Sequence, residues 1–166
     1  MMSPKLVSAM SKQLNAELQS SYLYLSMAAW LESQTLRGMA HWMRVQAHEE
    51  YAHAMKFFDY LIERGARVEL LAVDAPQADW KTPLAMFEHV HAHEQKVTGL
   101  IDALAGAAEA AKDRAAGVML QWFISEQVDE EANASEIVAK LRMAKDSPGG
   151  LLQMDHHLGK REGAKC

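Results

Sequence analysis

The chain has 166 residues, a mass of 18.5 kDa and a formal net charge of -5. That length suits one domain, residues 1–166, with a full core, and the acidic balance excludes general nucleic-acid binding while suiting cations. The one cysteine, Cys166, excludes an internal disulfide and any Cys-pair metal motif, which fits a reducing compartment. The N-terminal stretch is polar and amphipathic from Lys5 onward, unlike a secretory signal, and no apolar run approaches a membrane span. The expected location is the cytoplasm, with neither membrane nor nucleic acid as partner.

Many alanines, eleven methionines and few β-branched residues predict helix. In chain order, Ser3-Pro4 reads as an N-cap followed by proline in the first turn, opening a helix from Pro4 to about Gln34. A second runs from about Arg37 to Arg64 and stops at Gly65. A long irregular link follows. Thr82-Pro83 opens a third helix that ends near Ala111, and Asp113 caps a fourth that ends near Lys145. Ser147-Pro148 opens a short fifth, to about Gly159, and the tail from Lys160 to Cys166 is expected to fray. The two short connections make antiparallel neighbours of helices one and two, and of three and four. A helix of about 28 residues is roughly 42 Å long, whereas the 16 residues between Gly65 and Thr82 reach about 53 Å when extended. The link can therefore cross the whole bundle. The expected bundle spans about 4–145 and the fifth helix about 148–159.

Each long helix carries an apolar stripe stepping by three and four residues, and a polar residue interrupts each stripe near its middle. The interruptions are Glu17; Glu50 with His53; Glu94; and Glu130 with Gln127. One such glutamate alone is more often a helix-edge residue reaching water. Four coincident interruptions with a Glu-x-x-His predict one polar level inside a left-handed four-helix bundle. Buried carboxylates are costly unless positive charge meets them, and oxygen ligands with one imidazole suit iron or manganese. Two ferrous ions would balance the four glutamates. His53 completes one site as a neutral imidazole, and Glu50, on the same helix face, can bridge both metals. Coordination positions left open favour redox chemistry over a purely structural metal.

Other residues are read more plainly. Tyr24 is either a core tyrosine with a paired hydroxyl or a hydroxyl bonded to a ligand carboxylate. Trp122 reads as packing. His89, His91 and His93 fan around their helix axis and read as surface residues rather than a metal tract. Met39, Met43 and Met119 read as core filler, as do Met27, Met86 and Met143, although spacing alone leaves haem ligation by these last three open. His156 and His157 are ambiguous.

Together these residues resemble the bacterial non-haem ferritins over nearly the whole chain. The resemblance rests on Asn15-x-Glu17-x-x-Ser20-Ser21 with Tyr24, on His48-Glu49-Glu50-x-x-His53, and on Phe58-Asp59-Tyr60-Leu61. It also rests on Glu94, and on Leu120-Gln121-Trp122 with Ser125-Glu126-Gln127 and Glu130-Glu131. It implies an all-α, ferritin-like four-helix bundle with one long crossover between helices two and three and a short fifth C-terminal helix. It further implies a ferroxidase centre. One iron is bound by Glu17, Glu50 and His53, and a second by Glu50, Glu94 and Glu130, with Gln127 hydrogen-bonding nearby. A third iron site would use Glu49, Glu126, Asp129 and Glu130, with Asp129 replacing the glutamate usual there. Tyr24 and Trp122 match aromatic residues near the family's iron site, where either would supply electrons. The implied reaction is oxidation of Fe(II) by O2 or H2O2, with ferric mineral stored in a homo-oligomeric shell of about 24 subunits. The fifth helix would line the four-fold channels, and the acidic character of the corner between helices three and four makes three-fold channels near Asp113 or Glu109 the expected iron entry.

Three neighbours of this family fit less well. A haem-binding bacterioferritin has a second Glu-x-x-His and a haem methionine, where this chain has Asn133 after Glu130 and Ala52. No haem is therefore expected. Rubrerythrin-type peroxidases need a cysteine-rich iron domain. A DNA-protecting mini-ferritin does not account for the fifth helix. Outside the family, the alternative is a metal-free helical interaction bundle.

Overall fold

A computed structural model of the chain describes residues 2–163; Cys166 and the end of the tail lie outside the described residues. Among the described residues are five helices: α1 (Pro4–Ser33), α2 (Arg37–Glu63), α3 (Pro83–Ala110), α4 (Arg114–Ala144) and α5 (Pro148–Leu158). The four polar caps read from the sequence form. Ser3, Thr82, Asp113 and Ser147 each accept a first-turn backbone N–H, from Leu6, Ala85, Ala116 and Gly150 respectively.

Three helices end in the same way. Thr35, Gly65 and Lys112 take positive φ, and the next residue's N–H reaches back to Leu31, Leu61 and Ala108 respectively. The left-handed residue turns the chain sharply, so α2 follows α1 and α4 follows α3 as antiparallel partners. Side chains confirm the registers: Ser21 Oγ donates to the Ala47 carbonyl at 2.7 Å, and Arg142 of α4 binds Glu88 of α3 at 2.8 Å. The link after α2 lies along α1. Asn15 bonds to Ala72, Gln19 to Asp74 and Ser26 to the Gln77 carbonyl, and Trp30 packs edge-on to Trp80. The link thus travels the length of α1 and delivers α3 at the far end, as its reach allows.

The apolar core is in two pieces. One, around Met27, Met39, Met43, Phe87 and Leu141, fills one end of the bundle. The other, around Met10, Phe57, Ile101, Leu120 and Phe123, fills the opposite end. The polar residues lie between them. Met143, read as core filler, is 81% exposed, because it falls on the opposite face of α4 from Leu141.

α5 docks on α2 at very short range. α2 has no cap from its own N-cap residue, Leu36; instead Asp155 Oδ1 accepts the Met39 N–H at 2.8 Å. A Cβ on Gly38 would stand 1.8 Å from the Asp155 carbonyl oxygen. The segment after α5 does not fray at once: Arg161 pairs with Glu49 and its carbonyl bonds His41 Nε2 at 2.8 Å. The frayed reading fails there because polar residues of α2 wait within reach. Gly38→Ala should therefore lower stability by about 1–3 kcal/mol through overpacking. Gly99→Ala, at an open helical position, should raise it by about 0.5–1 kcal/mol. Thermal unfolding of the two variants checks both signs.

Candidate metal centre

The stripes on α1, α2, α3 and α4 bring the predicted carboxylates into the gap between the two apolar cores. Glu17, Glu50, Glu94 and Glu130 are 1%, 2%, 2% and 5% exposed, with His53 and Gln127 equally enclosed. Among the described residues, one group of three potential ligands brings an atom each to within 4.8 Å of one another: Glu17, Glu50 and His53. His53 Nδ1 lies 3.5 Å from Glu50 Oε2. The imidazole is held by the edges of Trp122 and Phe123, at ring distances of 5.3 and 5.9 Å, which agrees with the packing role read for Trp122.

Amides and one phenol tie the other carboxylates to this group. Gln46 Nε2 donates to both Glu50 Oε1, at 3.0 Å, and Glu130 Oε2, at 2.9 Å. Gln13 Nε2 donates to Glu17 Oε1 at 2.8 Å. Gln127 Nε2 donates to Glu94 Oε2 at 3.2 Å and also meets Thr98. Tyr24 Oη donates to Glu94 Oε1. Tyr24 therefore satisfies both of its sequence readings at once: a fully buried core residue, and a hydroxyl on a candidate ligand. Glu17 Oε2 is buried with no hydrogen-bond partner. An unpaired carboxylate oxygen facing a second carboxylate and an imidazole is what a cation would satisfy.

The residues expected at a third iron position are placed differently. Glu49 is half-buried and paired with Arg161, Glu126 is half-buried, and Asp129 is exposed. They do not join Glu130 in a group as close as the Glu17, Glu50 and His53 set.

Two histidines differ from their surface reading. His93 Nε2 is 2.8 Å from Ser20 Oγ, and its ring meets Tyr24 edge-on at 5.9 Å. Burial, and then the nearby His89 and Lys96, push its pKa down to about 4. His89 Nδ1 accepts the Trp80 indole N–H at 3.1 Å. Fanning around α3 is real, but α1 and the link cover two sides of that helix, so residues that fan out meet neighbours. The sequence reading also missed Gln13, Gln46 and Arg161. A signal for the first two was present: each glutamine stands one helical turn before a stripe glutamate.

A ferritin-like domain model matches residues 7–144. The chain belongs to the ferritin family. A bacterial non-heme ferritin of Bacteroides fragilis (strain 638R) is 44% identical over 97% of this chain and 100% of its own length. A second, from Escherichia coli O157:H7, is 36% identical over 95% of this chain and 96% of its own. Among solved structures, an open pore ferritin from the hyperthermophilic archaeon Archaeoglobus fulgidus is 49% identical, covers 98% of this chain and 99% of its own, and superposes with a TM-score of 0.96. The all-α bundle with one crossover is thus the ferritin fold. No described helix is long and apolar enough to cross a membrane.

The centre of this ferritin is charged against its own burial. Desolvation, and then the Glu50 charge, hold Glu17 well above its usual range. Desolvation, then Glu94 and Glu130, do the same to Glu50. Desolvation raises Glu94, and desolvation followed by Glu94 moves Glu130 from 4.5 to about 7. A carboxyl whose folded pKa is raised holds its proton more tightly when folded. Its stabilising contribution is complete below the unfolded value and is lost as pH rises through the folded one. The metal-free protein should therefore lose stability between pH 4.5 and about 7. Glu130 would account for up to about 3 kcal/mol of that loss at roughly 1.4 kcal/mol per pKa unit. Thermal midpoints of chelator-treated protein across this range should fall, and fall less in Glu130→Gln.

Proposed function

We propose that this ferritin stores iron and that its buried centre oxidises Fe(II) on the way to storage. The observation that carries the reading is the partnerless Glu17 Oε2 beside Glu50 and His53. Iron is the substrate here. One Fe(II) is held by Glu17, Glu50 and His53. A second is held by Glu50, Glu94 and Glu130, with Gln127 orienting Glu94. Two divalent ions offset four carboxylates, removing the strain that raises their pKa values. Each Fe(II) gives up one electron, and O2 or H2O2 accepts it. Tyr24 orients Glu94 through its hydroxyl, and its phenol is proposed to supply an electron to the same O2 or H2O2 that oxidises the iron. Glu49, Glu126, Asp129 and Glu130 form the proposed third iron position, on the side of the bundle where Arg161 lies.

The curated relatives are named non-heme ferritins over nearly their full length, which supports iron without haem as the cargo. The shell is proposed as a homo-oligomer of about 24 subunits, located in the cytoplasm, that keeps ferric mineral apart from uncontrolled peroxide chemistry.

Stopped-flow absorbance after mixing Fe(II) with aerated protein tests the centre. Glu50→Ala and His53→Ala should each slow ferric formation by about tenfold or more, as loss of a metal ligand exceeds the 10–100-fold typical of outer residues. Rates equal to wild type in particles of unchanged size would remove the assignment. Native mass measurement should give a particle of about 24 chain masses; a monomer or dimer would remove the shell.

A further inference from the structure

We infer that Arg161, in the segment after α5, is a positioning residue of the carboxylate centre and acts through Gln46; the inference rests on the metal reading above. The Arg161 guanidinium sits over the Trp42 ring, 4.5 Å from its centroid. Its Nη2 donates to Glu49 Oε2, and its Nη1 donates to Gln46 Oε1 at 2.8 Å. A guanidinium only donates, so the Gln46 end that meets it must be the carbonyl oxygen. The amide nitrogen of Gln46 is thereby turned inward, where it donates to Glu50 and Glu130 together. Arg161 anchors the outer end of that amide, and the two carboxylates favour the same orientation from the inside. A flipped Gln46 would turn its oxygen toward two carboxylate oxygens and repel them.

The position of Arg161 is itself built. Gly38 admits the Asp155 backbone at a distance no side chain allows. Asp155 caps α2, and His41 holds the Arg161 carbonyl. The docked C-terminal segment thus sets the orientation of an amide that spaces two candidate ligands contributed by α2 and α4. Outer residues of this kind orient ligands and commonly govern metal affinity.

Zn2+, which is redox-inert, is the probe, and calorimetric titration of the assembled protein at pH 7 is the readout. Arg161→Met should weaken Zn2+ binding about tenfold. In a Gln46→Met background the same change should alter affinity less than about twofold, since the path is already cut. A purely structural Arg161, or one acting by its charge or through Glu49, would give the same loss in both backgrounds; additive effects overturn the inference. If Arg161→Met does not assemble, Arg161→Lys replaces it in the same cycle. One ammonium cannot reproduce the fork to Gln46 and Glu49, so a loss of about threefold that depends on Gln46 is expected, and additivity again overturns it. If wild-type protein bound no Zn2+, both the metal reading and this inference would fall; if it bound Zn2+ and the cycle were additive, only this inference would.

Discussion

Burying four glutamates at one level of a helical bundle is the constraint on which the rest of this structure depends. Carboxylates out of water favour their neutral form, and each raises its neighbours further. The chain answers with donors that carry no charge. Gln13, Gln46 and Gln127 give amide hydrogens and Tyr24 gives a phenolic one, so the ligand oxygens are spaced without being neutralised. Glu17 Oε2 is fully buried and left without a donor. The centre is thus ordered but incomplete, and positive charge from outside completes it.

That layer explains the shape of the core. Two apolar clusters occupy the two ends of the bundle, and each must hold its helices in register so that side chains from four helices meet between them. Capped starts and, for α1 to α3, left-handed stops set the lengths of the helices. The link laid along α1 then places α3 so that Glu94 reaches Tyr24, while α4 returns to put Glu130 beside Gln46. Small shifts of any one helix would separate donors that must act within a few ångströms.

The ferritin relatives match this chain over nearly its whole length. Two features bear on the proposed third position. Asp129, a residue of the proposed third position, is exposed and one methylene shorter than a glutamate. Arg161 places a fixed cation on Glu49, another residue of that position. The shorter Asp129 reduces reach and Arg161 offsets charge, so both disfavour a further metal there, whereas among the described residues no lysine or arginine pairs with the inner four glutamates and only His53 stands beside Glu50.

The sequence by itself determined the helices, their caps, the crossover and the glutamates that interrupt the stripes. Those features depend on neighbours within a turn or two, and helical periodicity is a local property. It also placed His53 with Glu50, three residues apart on one face. Only the tertiary structure decided that Gln46 bridges Glu50 to Glu130, 84 residues away, that Arg161 folds back 115 residues onto Gln46, and that His93 lies against Tyr24 rather than in water. Such pairings require two helices to meet at a particular rotation and height. Packing fixes these quantities, and no run of residues along one helix encodes them.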